Sequence, residues 1–314
     1  MTRPVTRPAS FRLRPEVLAH LLLLVVVLVW GSTFVLVKSA LTQVTPLLFN
    51  LLRMAVATIV LVTINHRHLR TLTRTQLGAG ALAGLFLAAG YQFQTVGLTM
   101  TTPAKSAFIT GMVVVFVPIL TLFQAIRPTA TPRPGPLTAV GALSAFAGLL
   151  LLTTPSGTRL LSLIAAVSRG DMVTLGCAFA FAAHLLTLAR TSRGIPAGLL
   201  ATLQVGAATF FMGLSLPLEA PRITFTPIVM SALLICGILA TAFAFTVQSY
   251  AQQHLPPTHT VVLLTLEPVF AWLTSLLFLH ESLGRRSLSG AALILAGILI
   301  IEFQPITHST EIPA

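Results

Sequence analysis

Of the 314 residues 55% are apolar and only 8% charged, with a mean hydropathy of +0.92. A soluble domain carries about 25% charged residues, so a water-facing surface cannot be built from this chain and lipid must cover most of it. The net charge of +12 does not mark a nucleic-acid partner, because the 19 Lys and Arg are spread through short segments between apolar runs.

Arg3, Arg7, Arg12 and Arg14 precede an apolar stretch, the outline of a secretory signal. Leu18 to Val37 is about 20 residues long, however, against roughly 7–15 for the apolar core of a signal, and no small-residue cleavage site follows. Residues 1–16 are therefore expected as a tail and 17–37 as the first spanning helix. A span needs about 20 apolar residues at 1.5 Å rise each. Nine further runs qualify, at 46–64, 77–98, 103–126, 135–154, 170–189, 196–216, 227–250, 257–279 and 287–303. Breakers separate them, as in residues 127–136 (RPTATPRPGP) and 153–157 (TTPSG). Several runs open on Pro, whose missing N–H costs nothing there. The remaining tails and connections hold no soluble domain, so function must reside inside the bundle.

With the N-terminus inside, the inner segments carry eleven Lys and Arg and the outer segments seven, Arg53 being left out because it lies within a span. This bias places both termini in the cytoplasm. The chain also repeats. Pro118 and Pro268 are each followed by an apolar run and a glycine pair seven apart, Gly141/Gly148 and Gly290/Gly297, starting 23 and 22 residues after the respective proline. Gly84 and Gly237 open comparable stretches further back. Five spans per half is an odd number, so halves joined head to tail enter the membrane with opposite orientations. The expected fold is an all-α membrane protein of ten transmembrane helices in two inverted five-helix repeats. These would be residues 17–154 and 170–303, joined by a linker at 155–169 and followed by a tail at 304–314.

Specific stretches carry a resemblance. Residues 29–41 read VWGSTFVLVKSAL, 45–57 TPLLFNLLRMAVA, 104–123 AKSAFITGMVVVFVPILTLF, and 261–300 VVLLTLEPVFAWLTSLLFLHESLGRRSLSGAALILAGILI. In order and spacing these resemble the EamA-type members of the drug/metabolite transporter superfamily, over nearly the whole chain. The second repeat departs from the pattern: 171–190 lacks the Trp-Gly signature, and Gln204 stands near where the first repeat has Arg53. The resemblance implies a multi-pass carrier of the plasma (inner) membrane, usually an exporter of amino acids, related metabolites or small xenobiotics.

Polar residues within spans are the candidates for chemistry, since a charge at mid-bilayer costs about 2.5–3.5 kcal/mol unless it faces a cavity or a partner. Glu267 lies about ten residues into its run, directly before Pro268, and is expected as a proton-coupling group, as the counter-charge of a substrate amine, or as the structural partner of Arg53. Arg53, with Asn50 one turn earlier, is expected to hold a substrate carboxylate bidentately or to pair with Glu267. Gln92, Gln94 and Gln248 suit hydrogen bonds to substrate or, more commonly, between helices. Trp30 and Thr33 are candidates to line a cavity or to pack. His184, the only histidine well inside a span, is a candidate relay or a hydrogen-bonded packing residue. Lys38 and Lys105 are expected to snorkel at the outer ends of their spans, and Glu281 to cap or pair in a loop. Small residues in 78–90 would let helices approach closely. Cys177 and Cys236 lie singly in apolar runs, without metal-site or disulfide spacing.

The expected function is secondary transport of a small metabolite by alternating access, its partners being that substrate, the lipid bilayer and, in one coupling scheme, protons. No GxxxxGK[ST] loop is present to couple ATP, and neither cofactor nor metal is expected. A lipid- or isoprenoid-modifying intramembrane enzyme would need acidic clusters or a Ser/His/Asp set, and Asp171, Glu267 and Glu302 are far apart in sequence. A passive channel fits the inverted repeat less well than a carrier does.

Overall fold

The computed structural model describes residues 14–123, 135–154, 167–192, 194–255, 263–264 and 266–302. Most of the expected tails, the proline-rich connection at 127–134, most of the linker and the first part of the run 257–279 lie outside them.

The helices begin where the sequence supplies start signals. Helix α1 (Pro15–Ala40) and α2 (Pro46–Asn65) both carry Pro in the first turn, and α1 adds Glu16 there and Lys38 in its last turn, each charge complementing the helix dipole. A 3₁₀ turn (His68–Thr71) leads to α3 (Arg74–Met100), which opens with a capping box between Thr73 and Gln76. Thr102 caps α4 (Pro103–Thr110), and α5 (Val113–Thr121) follows. The run 103–126 is thus two helices rather than one. At Gly111–Met112 the bonds shorten to i→i−3, Met112 N–H to the Ile109 carbonyl at 3.0 Å and Val114 N–H to that of Gly111 at 3.2 Å.

Then come α6 (Pro136–Thr153), α7 (Arg169–Thr191, capped by Ser168) and α8 (Ala197–Ser215). The next span is composite: α9 (Pro227–Leu234), a π-helical segment (Ile235–Phe243) and α10 (Ala244–His254). Helix α11 (Glu267–Leu279) starts at Glu267 with Pro268 in its first turn, and α12 (Arg285–Glu302) follows. Among the described residues eight helical stretches are long and apolar enough to cross a membrane. Their outward faces are apolar, with Leu143 70%, Phe210 62% and Phe278 72% exposed, as lipid contact requires.

Two features fix how the helices sit. Val44 and Ile223 form an antiparallel bridge, and the Thr45 N–H donates to the Arg222 carbonyl at 3.0 Å, so the ends of α1 and α8 share one face of the bundle. At the opposite face Leu69 and Leu72, after α2, pack with Ile195 and Leu199, after α7. The two glycine pairs meet each other: a Cβ on Gly148 would lie 2.5 Å from the Gly290 carbonyl, and one on Gly297 would strike the Gly141 carbonyl. With 141 opposite 297 and 148 opposite 290, α6 and α12 run antiparallel at backbone contact.

Candidate functional site

A cavity of about 80 Å³ lies between α1, α2, α3, α4, α7, α10 and the start of α11. Gly31 lets α1 pass close to α11, since a Cβ there would lie 2.8 Å from the Glu267 carbonyl. On the wall, Arg53 sits seven residues into α2, about 10 Å of helix rise, and is 4% exposed. Its guanidinium lies 4.4 Å from the Tyr91 ring centroid, a cation–π stack. Nη2 donates to Thr241 Oγ1 at 3.1 Å, while Nε is buried with no partner. Thr241 is turned toward Arg53 by the π segment, its hydroxyl donating to the Cys236 carbonyl five residues back at 2.7 Å.

Glu267 also lines the cavity, but it makes no ion pair with Arg53. Among the described residues the only ion pair is Lys105–Asp171, at 3.2 Å. Of the alternatives open for these two residues, a direct ion pair between Arg53 and Glu267 is not formed. Five further candidates share the cavity with aromatic groups. Trp30 donates from Nε1 to the Ala240 carbonyl at 2.8 Å, and Thr33 donates to the Trp30 carbonyl at 2.8 Å. Gln94 donates to Thr110 Oγ1 at 3.3 Å, and Gln248 has a buried Oε1 without a partner. His184 lines the cavity too, its Nε2 donating to Gln204 Oε1 at 2.7 Å while its ring meets Phe245 edge-on.

Asn50 and Gln92 are not on the wall. Asn50 Nδ2 donates to the Tyr91 carbonyl at 3.0 Å and to Gln92 Oε1 at 2.8 Å, and Gln92 Nε2 donates to Ser215 Oγ at 2.8 Å. Both bridge helices. The residues expected to snorkel do not. Lys38 donates to the Leu98 carbonyl at 2.6 Å and the Thr101 carbonyl at 2.9 Å, capping α3, and Lys105 joins Asp171, which also accepts from Thr101 Oγ1 at 2.8 Å. Glu281 accepts from the Ser275 hydroxyl and from the Ala104 N–H, in the first turn of α4, at 3.4 Å. Cys177 and Cys236 are buried and unpaired.

The pattern of the EamA-like transporter family matches residues 17–154 and again 168–303. The chain belongs to that family. Among curated relatives of this EamA-like protein, an uncharacterized transporter of Archaeoglobus fulgidus is 31% identical over 286 residues, covering 91% of this chain and 86% of the relative. The uncharacterized transporter YoaV of Bacillus subtilis is 23% identical over 283 residues, covering 88% and 94%. A solved crystal structure superposes with a TM-score of 0.64 at 20% identity, over 90% of this chain and 96% of that one, a likeness of fold. The EamA-like chain is thus a multi-pass membrane transporter.

Its cavity has further walls that the sequence did not single out: Tyr91, Phe181 and Phe245, with ring centroids 5.3 Å apart for Tyr91–Phe181 and 6.2 Å for Tyr91–Phe245. Nothing in the linear pattern separates these aromatics from Phe210 or Phe278, which face outward. The signal within reach was spacing, since Tyr91 lies three residues before the flagged Gln94 and so near its helix face. At about 80 Å³ the cavity is smaller than the roughly 300–1,000 Å³ of a ligand site.

Proposed function

We propose that this transporter exports a small metabolite bearing a carboxylate, such as an amino acid or a related compound, across the plasma membrane by alternating access. The observation that carries the reading is Arg53, a guanidinium sealed at mid-bundle with one hydroxyl and one ring as partners and no carboxylate. A buried charge left this poorly compensated costs several kcal/mol. A bidentate carboxylate would offset that cost, and its planar fork matches Arg better than Lys. Glu267 and the free Oε1 of Gln248 supply acceptors on the same wall, suited to an ammonium group or to a proton carried in exchange.

Ten spans in two inverted halves, with both termini in the cytoplasm, are part of the proposal. Several observations support it. Helix α1 ends at the face where α8 ends, whereas α7, the first helix of the second half, ends at the face where α2 ends. The matching glycine pairs run antiparallel. Residues 266–279 and 285–302 would complete the ninth and tenth crossings. Rocking of one half against the other would enlarge the cavity toward each side in turn.

Comparing the metabolites of cells with and without the protein, then testing the accumulated compounds by counterflow in proteoliposomes, identifies the substrate. Carboxylate-bearing compounds are expected to exchange. A substrate set without carboxylates rejects the role of Arg53. Glu267→Gln separates the two uses of the acid: if protons drive transport, pH-gradient-driven uptake is lost while substrate exchange survives. Unchanged gradient-driven uptake removes Glu267 from coupling.

A further inference from the structure

A second concavity opens on the outer face of the bundle, where lipid lies. It is a groove of about 370 Å³ between α2, α3 and α8. Its lining is apolar, with Leu77, Ala81, Leu203 and Ala207 prominent, except for Thr58 and Thr202, whose hydroxyls donate to carbonyls of their own helices, so it offers little to a polar metabolite. Gly206 keeps it open, because a Cβ there would meet only Thr58 Cγ2, at 3.8 Å. Leu69 of the 3₁₀ turn closes one end.

That end is strongly basic. Arg67 and Arg70 flank Leu69 in the chain, and Arg74 lies one turn before Leu77 on the same face of α3. All three are exposed, and among the described residues none of their guanidinium groups has a hydrogen-bond or ion-pair partner. The local sequence supplies no carboxylate, since no Asp or Glu occurs between Glu16 and Asp171, or between Asp171 and Glu219 on the adjoining α7–α8 segment. A hydrocarbon-lined slot running down from a cluster of free guanidinium groups is complementary to one molecule class, an amphiphile with an anionic phosphate head and an acyl tail.

We propose that this groove is a binding site for an anionic phospholipid, whose phosphate is held by Arg67, Arg70 and Arg74 and one of whose acyl chains lies against Gly206 and Ala207. Arginine suits the head because its fork binds phosphate oxygens bidentately. Basic pockets between spanning helices are the physical form such recognition takes. With the N-terminus in the cytoplasm, as proposed above, the lipid belongs to the cytoplasmic leaflet. The site itself needs only that the chain crosses a membrane, and it is separate from the central cavity, so it stands or falls independently of the substrate reading.

The test measures binding to the purified full-length transporter in detergent by native mass spectrometry, with dioleoyl phosphatidylglycerol, dioleoyl phosphatidylcholine and soluble glycerol phosphate as probes. Phosphatidylglycerol is expected to bind roughly tenfold tighter than phosphatidylcholine. The preference should fall to about twofold or less when Arg67, Arg70 and Arg74 are all changed to Gln. Gly206→Leu fills the groove at a helical position with open space beside it, so it should fold normally and weaken the tightest binding of both lipids. A lipid preference unchanged in the triple Arg variant, or lipid affinities unchanged in Gly206→Leu, overturns the proposal. So does glycerol phosphate binding as tightly as the whole lipid, which would reduce the site to a phosphate patch.

Discussion

Arg53 on α2 and Gln204 on α8 occupy matching backbone seats. A Cβ on Gly237 would lie 3.1 Å from the Arg53 carbonyl, and one on Gly84 would lie 2.5 Å from the Gln204 carbonyl. From these similar seats the side chains do opposite things. Gln204 is bonded at both ends, accepting from His184 at 2.7 Å and donating to Ser249 Oγ at 3.2 Å, and it stays off the cavity wall. Arg53 faces the cavity with a charge that makes no ion pair among the described residues. The backbone frame recurs and the chemistry does not. One half keeps a satisfied polar bridge, and the other keeps a buried charge with no ion-pair partner among the described residues.

The comparison is broken most severely by removing the charge. Arg53→Gln should cut transport of a carboxylate substrate by roughly 30-fold or more, from the loss of about 2 kcal/mol or more of charge-assisted binding. Counterflow at saturating and limiting substrate measures it, and an unaffected rate would place the binding contact elsewhere. The glycine seats come next. Gly84→Ala drives a Cβ into the Gln204 carbonyl and the Ala207 side chain, and should destabilise by about 1–3 kcal/mol as overpacking does. Gly237→Ala meets the Val56 methyl at 2.8 Å, which can turn aside, and should cost less. Thermal unfolding in detergent ranks the pair, and the reverse order would contradict the seat geometry.

Gln204→Leu leaves a buried His184 without its acceptor, at a cost of about 1–3 kcal/mol in stability. Substrate affinity should move little, because Gln204 touches no ligand in this account. A large rise in KM with unchanged stability would make the two seats functionally alike. The smallest effect belongs to Gly213→Ala on α8, where nothing lies within 4 Å: a gain of about 0.5–1 kcal/mol from helix propensity, visible as a slight rise in melting temperature.

What could be read from sequence follows from what lipid enforces. A span must be long and apolar, and a charge inside one is costly, so α1 to α3 and the prominence of Arg53 and Glu267 were visible in the linear pattern. Direction around a helix was not. Asn50 is one turn from Arg53, yet three residues at 100° each leave the two side chains about 60° apart, enough for Asn50 to reach α3 instead of the cavity. Gln92 and Gln94 are two residues apart and so face nearly opposite ways. Only one of them can line a cavity, and the neighbours decide which. The π segment is invisible for another reason: ICGILATAF has the composition of an ordinary helix. Its wider winding shows only through contacts such as Thr241 with Arg53 and Trp30 with the Ala240 carbonyl.

The most direct test of Arg53 as a carboxylate anchor is Arg53→Lys, which keeps the charge and removes the planar fork. Exchange of a carboxylate substrate and of its neutral amide analogue would be measured side by side in proteoliposomes. A fall confined largely to the acid is the predicted result. Equal losses for acid and amide would mean that Arg53 supports the wall and binds nothing.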